Sequence, residues 1–347
     1  MTDHSPPTPG GTDDSSDDEM RLPLRKRYAV LAGAAFGVAL RLAFGGPTGS
    51  SWSAMSAPFI LGAPFAVGML TVYLAERQQR RTWLYYLLAP LFATALFVAG
   101  TLLILIEGAI CALVIIPLFS AIGIVGGLTM GVVCRLTRWP APFVSAAIAL
   151  PLLAAALGME PSTVDRNDAI ERSIDIGAPP DVVWQTLNRV DSIRPDEMAD
   201  AWTMRIGVPA PMSGLTRQTP EGLVRESRWG KSVHFDELIV DWQPERFVRW
   251  TYRFAADSFP KHALDEHVVL GGPHFDLLDT SFSLVATSGG TRLTTRVRYR
   301  VSTQFNFYAA PVARFLLGNL SETGLRMYRS RAEQEQRRQG VGPVAGR

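Results

Sequence analysis

The sequence predicts an α-helical membrane bundle followed by a soluble α+β domain, in which an antiparallel sheet precedes a long C-terminal helix. The chain has 347 residues, of which 47% are hydrophobic and 19% are charged. Eight charged side chains fall within residues 28–159, whereas 47 fall within 161–347. Because soluble domains average about a quarter charged residues, the first half has a membrane composition. Strand-like alternation in the second half is the other observation behind this fold class.

The N-terminal tail comes first. Residues 1–20 contain six acidic side chains and no lysine or arginine, and a basic flank follows at 21–27. A stretch rich in Pro, Gly, Ser and Asp buries too little apolar surface to fold, so we expect 1–27 to be a disordered tail. The formal net charge is only +2. No basic surface indicates a nucleic-acid partner.

Five apolar segments then predict membrane helices, since a spanning helix needs about 20 mostly apolar residues. They cover 28–44, 58–75, 83–106, 108–134 and 140–158. The basic clusters lie at 21–27, 77–81 and 135–138. Basic loops stay in the cytoplasm. We therefore expect a multi-pass protein of the cell (plasma) membrane, with a cytoplasmic N-terminus and an extracytoplasmic C-terminal domain.

Two charged residues stand apart within the apolar segments. Arg41 lies near the end of the first segment, where its side chain would reach the interface. Glu107 lies between two long apolar runs. It is either a proton or ligand group or a turn residue solvated by lipid headgroups, and we favour the turn. The sequence leaves open whether Arg41 and Glu107 meet.

The soluble part is predicted as a linker at 160–168, one domain at 169–338 and a disordered tail at 339–347. Residues 169–176 alternate as a strand, and Pro179-Pro180 then begins a helix. A second short helix is expected at 192–200.

Several strands and a helix complete this domain. In 247–254 and 292–301, apolar side chains alternate with arginines and threonines, which is typical of a sheet with one wet face. Gly289-Gly290 predicts the hairpin before the second of these strands, and a long helix is expected at 309–338.

Two stretches carry a resemblance to a known superfamily. IDIGAPPDVVWQTL and DELIVDWQPERFVRW resemble the START-like (SRPBCC, helix-grip) superfamily of polyketide cyclases and lipid-transport domains, over about 169–335. The chain is also similar to bacterial membrane proteins that place such a domain after helices with an EGxIC-like stretch, here 107–111. The resemblance implies a curved sheet that wraps the C-terminal helix and encloses an apolar cavity for a hydrophobic molecule.

Aromatic residues on the predicted strands are the first candidates for the cavity wall, because ligand pockets are lined by apolar side chains with few polar groups. The candidates are Trp229, Phe235, Trp250, Tyr252 and Tyr299. The alternative is that these rings fill the core and leave no cavity.

Polar candidates are fewer. Glu237 shares a strand face with Phe235 and is a candidate for a ligand hydroxyl, although a solvated position at the sheet edge is the favoured interpretation. His274 belongs to a polar stretch with His262, Asp265, Glu266, His267 and Asp276, which either supplies ligands or an acid/base pair or borders the cavity. Its spacing fits no metal motif, so neither a metal nor a cofactor is expected. The two cysteines, Cys111 and Cys134, both lie in apolar runs, which excludes a disulfide framework from the soluble part.

These observations lead to a function hypothesis with alternatives. The domain is expected to bind or transfer a hydrophobic ligand or lipid at the membrane surface, with the lipid bilayer as its other partner. A cyclase or hydratase-like enzyme using Glu237 or the polar stretch is the alternative, and catalysis is the less favoured of the two. A third hypothesis is a non-enzymatic membrane sensor or assembly factor with a filled core. The sequence identifies no protein partner.

Overall fold

The structure is a computed structural model that describes residues 15–47, 50–137, 149–158, 163–261, 263–265 and 269–340. The N-terminal helices are α1 (Ser15–Ala43), α2 (Ala63–Glu76), α3 (Trp83–Leu103), α4 (Ala109–Leu136) and α5 (Leu150–Ala156). A π-helical turn, Pro58–Gly62, leads directly into α2. Part of the expected helix at 140–158 lies outside the described residues.

Three of the described helices are long and apolar enough to cross a membrane: Pro58–Glu76, Trp83–Leu103 and Ala109–Leu136. Tyr28–Ala43 is a shorter apolar helix. The structure differs from expectation at α1, which begins at Ser15 inside the stretch expected to be disordered. Since helix propagation is easier than nucleation, the apolar helix extends backwards through the basic flank, Pro23 included, to Ser15.

Glycines allow α2 and α4 to pack closely. A Cβ at Gly126 would meet the backbone of Phe65, and a Cβ at Gly68 would meet the backbone of Gly123. Small residues at such crossings are how membrane helices gain van der Waals contact.

The C-terminal half is built on an eight-stranded antiparallel sheet in the order β1-β8-β7-β6-β5-β4-β3-β2. The strands are β1 (Arg166–Ile176), β2 (Arg189–Val190), β3 (Pro211–Thr219), β4 (Gly222–Trp229), β5 (His234–Gln243), β6 (Phe247–Arg253), β7 (Phe275–Thr287) and β8 (Gly290–Val301). Helices α6 (Pro180–Asn188), α7 (Trp202–Arg205) and α8 (Asn306–Gly340) complete it. The sheet curves around α8, so the expected helix-grip architecture is confirmed.

The strand alternation read from the sequence is present in the sheet. Val248 and Trp250 are buried in β6 while Arg249 between them is exposed. In place of one helix at 192–200, the chain forms a 3₁₀ turn, Pro195–Met198, followed by α7. The expected short helix is therefore split, and the Glu197 side chain of the 3₁₀ turn is held by Arg331 on α8.

The strand directions define two ends of the C-terminal half, one near the bundle and one distant from it. β1 starts next to the bundle, so β8 and β6 also end near it, whereas the β7–β8 hairpin is distant. Side chains of β6, β7, α6 and α8 fill the distant part around Val248, Phe282 and Leu325. The part near the bundle is not filled in this way, and the candidate site lies there.

Candidate functional site: a cavity shared by the bundle and the sheet

A cavity of about 390 Å³ lies between the helical bundle and the sheet. Its volume falls within the range of small-molecule pockets. Residues of both halves line it, and none of them is exposed on the protein surface. The wall is therefore a joint product of the two halves, which no sequence pattern within either half could indicate.

The sheet contributes an aromatic wall. Trp229 and Phe235 have ring centroids 6.1 Å apart, and Phe235 and Tyr252 have centroids 6.0 Å apart. All three residues line the cavity, and Val312 and Leu316 of α8 face it too. Trp229, Phe235 and Tyr252 occupy strand positions whose side chains point to the inner face of the sheet.

The bundle contributes a second aromatic group. Phe97 of α3 and Phe119 of α4 stack with ring centroids 5.7 Å apart, and Phe59 meets Phe119 edge-on at 6.0 Å. All three line the cavity. Their place on the wall could not be predicted, because a phenylalanine in an apolar span has the same sequence signature whether it faces lipid or a cavity.

A buried ion pair closes the end of the cavity inside the sheet. Arg225 Nε lies 3.0 Å from Glu237 Oε2, and their side chains are 7% and 9% exposed. Ser227 Oγ donates to Glu237 Oε1 at 2.8 Å, while Arg225 Nη1 donates to the carbonyl oxygen of Leu187 at 2.5 Å. Glu237 lines the cavity. The solvated edge position favoured for Glu237 is therefore wrong.

The electrostatics of this end follow from burial. Desolvation raises the pKa of the Glu237 carboxyl, and the charge of Arg225 and the Ser227 hydroxyl oppose that rise. Burial also raises the pKa of the Tyr252 phenol, whose oxygen shares a 2.6 Å hydrogen bond with Thr280 Oγ1. The end of the cavity thus offers a carboxyl group and a hydroxyl pair within an apolar wall.

A second ion pair lies in the bundle half of the wall. Arg41 Nε is 2.5 Å from Glu107 Oε1, and the side chains are only 9% and 15% exposed. Both residues line the cavity. Glu107 does lie in the turn between α3 and α4, but its expected solvation by headgroups is wrong because Arg41 holds it in the interior.

The structure brings together five of the seven candidate residues on the cavity wall: Trp229, Phe235, Glu237, Tyr252 and His274. Trp250 and Tyr299 lie instead in the packed core, at 4% and 0% exposure. Both point inward from their strands, but the neighbouring core side chains surround them. His274 Nδ1 lies 3.2 Å from the carbonyl oxygen of Ser302.

The polar stretch around His274 does not assemble as one group in the described part of the chain. His262, Glu266 and His267 lie outside the described residues. No three metal-ligating side chains come together within the parts of the chain that the structure describes. Asp265 turns away toward α4.

Asp265 joins the two halves. Its Oδ2 accepts a 2.5 Å hydrogen bond from the backbone N–H of Cys111, in the first turn of α4. The N-cap residue of α4, Gly108, has no side chain to do this, and a Cβ there would overlap the Asp265 carboxylate. The close approach of Asp265 from the C-terminal half therefore explains why glycine stands at position 108 in the EGxIC-like stretch.

Two further hydrogen bonds cross the same boundary. Gln304 Oε1 accepts from the backbone N–H of Ala57 at 2.6 Å, and the Tyr308 hydroxyl donates to the carbonyl oxygen of Val114 at 2.5 Å. Phe305 is 5% exposed and packs within the core cluster of the bundle. These contacts hold the two halves together beside the cavity.

Comparisons with known proteins give similarity in structure only. No family model and no curated protein matches the sequence. The aromatase/cyclase Zhui from Streptomyces sp. R1128 is 15% identical, with coverage of 52% of this chain and 100% of that chain and a TM-score of 0.30. A di-domain aromatase/cyclase, BexL, from the BE-7585A biosynthetic pathway is 14% identical, covering 61% and 60% with a TM-score of 0.31. A protein from Nitrosomonas europaea is 15% identical, covering 49% and 96% with a TM-score of 0.29.

Proposed function

We propose that this chain is a membrane-anchored helix-grip protein that binds a hydrophobic small molecule or lipid and exchanges it with the bilayer. The observation that carries the proposal is the cavity of about 390 Å³ whose wall is shared by apolar helices and the sheet. Because the core near the bundle is not filled, the alternative of a sensor or assembly factor with a filled core is not favoured.

Physical reasoning supports a location next to the membrane. A lipid-like ligand partitions into the bilayer, so a tethered cavity meets it at a high effective concentration. The aromatic wall excludes water, and the few polar groups on it, among them Glu237 and Tyr252, would orient the ligand.

The test is mass spectrometry of organic extracts from the full chain, purified in detergent, together with equilibrium binding of an apolar fluorescent probe. The full chain is required because the bundle forms part of the wall. Val297→Phe fills the cavity from β8, where Val297 lines the wall. It should remove the co-purifying compound and weaken probe binding about tenfold, or about 1.4 kcal/mol.

Val285→Phe is the matched control, since Val285 lies on the neighbouring strand with 58% exposure. It should bind the probe as the wild type does. Clean extracts together with no probe binding by the wild-type protein would overturn the proposal.

We also propose that the sheet domain faces away from the cytoplasm. Supporting this, the domain docks at the beginning of α4, whereas Arg81 and Arg135 meet at the other end of that helix, and basic ends stay inside. In a Cys111→Ala/Cys134→Ala background, Ser288→Cys should react with an impermeant maleimide on intact cells. Gln79→Cys should react only after permeabilisation, and the reverse pattern would overturn the orientation.

A cyclase or hydratase-like enzyme is the second candidate, favoured by one observation: the Glu237 carboxyl lies on the wall with its pKa raised by burial, as a proton-transfer group requires. Glu237→Gln keeps an acceptor for Ser227 but removes the charge that compensates Arg225, so thermal unfolding first identifies conditions in which the variant is folded. There it should still bind ligand but change the mass of the extracted compound, since substrate would replace product. An unchanged mass would reject this candidate.

A further inference from the structure

The bundle half of the cavity wall contains an ion pair, which helices that serve only as a membrane anchor do not need. Among the described residues there, Arg41 and Glu107 are the charged ones. They come from the last turn of α1 and from the turn before α4, and they meet within the cavity wall.

The hydrogen bonds of Arg41 leave part of its guanidinium unused. Nε donates to Glu107 and Nη1 donates to the carbonyl oxygen of Phe44 at 3.3 Å. A guanidinium has five N–H donors, and within the described ranges Nη2 donates none of the hydrogen bonds. A carboxylate has about four lone-pair sites, so Glu107 can accept from a further donor while it holds Arg41.

The cost of burying such a pair indicates what it is for. Removing two charges from water is expensive, and well-packed apolar residues often stabilise a protein equally well or better. A contact that only joined α1 to the α3–α4 turn would be served by apolar side chains. A pair that faces a cavity can instead offer a donor and an acceptor side by side.

We infer that the Arg41–Glu107 pair binds the headgroup of the ligand, and that this headgroup is neutral and hydroxylated. Its hydroxyl oxygen accepts from Arg41 while its hydrogen is donated to Glu107. The pair is already neutral as a whole, so an anionic head would leave an uncompensated charge in an apolar cavity. The apolar tail follows the wall beyond Phe59, Phe97 and Phe119. This inference rests on the proposed function.

Three probes with the same acyl chain test the head alone: monooleoylglycerol, oleate at pH 8 and methyl oleate. Binding is measured on the delipidated full chain in detergent. Monooleoylglycerol should bind at least about tenfold more tightly than methyl oleate, because a site built to hydrogen-bond a hydroxyl discriminates strongly against an analogue without one. Oleate should also bind more weakly than monooleoylglycerol.

Two variants separate recognition from structure. Arg41→Met/Glu107→Leu should bring the ratio of the monooleoylglycerol and methyl oleate affinities near one while methyl oleate still binds. Glu107→Gln leaves a net positive charge, so its preference should shift toward oleate, which a merely structural pair would not produce. The control, Arg292→Met/Asp175→Leu, removes an exposed pair on the outer sheet face and should change neither ratio.

The outcomes are distinguishable. If wild type and Arg41→Met/Glu107→Leu show the same ratio, the headgroup inference fails but ligand binding stands. If wild type prefers oleate, the head is anionic and the inference also fails. If none of the three probes binds while the apolar fluorescent probe does, the inference fails and the proposed function stands; if the fluorescent probe does not bind either and the extracts are clean, both fail.

Discussion

At the scale of single residues, the Arg225–Glu237 pair at the end of the cavity is expected to tolerate little change. Arg225 also bonds Leu187 and Tyr328 and lies over the Trp250 ring at 5.4 Å. Its charge is thus compensated by contacts from β5, α6 and α8 at once. The pair belongs both to the packed core and to the cavity wall.

Breaking this pair from one side should be costly. Glu237→Leu leaves the Arg225 charge buried without its partner, which typically costs about 3–5 kcal/mol. The double variant Arg225→Met/Glu237→Leu should recover most of that loss, because no uncompensated charge remains. Chemical denaturation of the detergent-solubilised chain measures both, and equal losses in the single and double variants would contradict this account.

The pair of Glu197 and Arg331 predicts how the stability of the protein changes in acid. Arg331 Nε and Nη2 donate to the Glu197 carboxylate at 2.8 and 2.6 Å, and this hydrogen bonding holds the pKa of Glu197 below its ordinary value of 4.5. Its stabilisation is therefore fully present above the ordinary pKa and is lost as pH falls through the lower, folded-state value.

Glu197→Gln should thus lower the Tm at pH 7 but flatten its decline in acid, below about pH 4.5. Thermal unfolding between pH 7 and pH 3 checks this. Asp175→Asn, at an exposed pair, is the control and should change the profile little. A decline in Glu197→Gln as steep as in the wild type would exclude Glu197 as its source.

At the scale of elements, α4 depends on the other half of the molecule for its N-terminal cap. Gly108→Ala places a Cβ where the Asp265 carboxylate lies. We expect a loss of about 1–2 kcal/mol, as for other lost caps. Thermal unfolding measures it, and Asp265→Ala in the same assay should lose a similar amount.

Gly289→Ala is the matched control for Gly108→Ala, since nothing lies within 4 Å of a Cβ there. Its Tm should stay close to that of the wild type. If Asp265→Ala and Gly108→Ala are additive when combined, the two residues do not act through one contact and the capping account is wrong.

How far the sequence predicts these elements depends on the range of the pattern. The alternation in β6 and β8 is local, and the hairpin at Gly289-Gly290 needs the left-handed backbone that Gly290 adopts, with φ +137°. Glu107 lies in a turn, as predicted. Arg41, which donates to Glu107, lies 66 residues away in sequence, and Asp265, which accepts from Cys111 just after the turn, lies 154 residues from it. No local pattern indicates contacts across such distances.

The residues of the candidate site also divide into those that a local sequence pattern predicts and those that it does not. Phe235 and Tyr252 follow from strand alternation together with the superfamily resemblance. Trp250 shares the face of Tyr252, yet it lies in the packed core. Alternation identifies the inner face but not the point along a strand where packing ends and the cavity begins, because that depends on the side chains of α8 and the bundle.

At the scale of the whole molecule, the two halves form one hydrophobic structure. Residues 163–340 expressed alone would expose Phe305, Tyr308 and the cavity mouth, all covered by the bundle in the full chain. We expect this fragment to bind an apolar dye such as ANS strongly and to aggregate. Dye fluorescence and light scattering check this. A monodisperse fragment without dye binding would contradict the shared core.

The hydrogen bonds across the boundary have a consequence for mutational tolerance. Asp265, Gln304 and Tyr308 use their side chains, whereas Ala57, Cys111 and Val114 are reached through backbone atoms. Changing the side chains of the latter three leaves those donors and acceptors in place. Apart from Gly108, where a Cβ would meet Asp265, these contacts are thus robust to substitution on the bundle side and fragile on the sheet side, so random mutagenesis should find docking defects unequally distributed between the two halves.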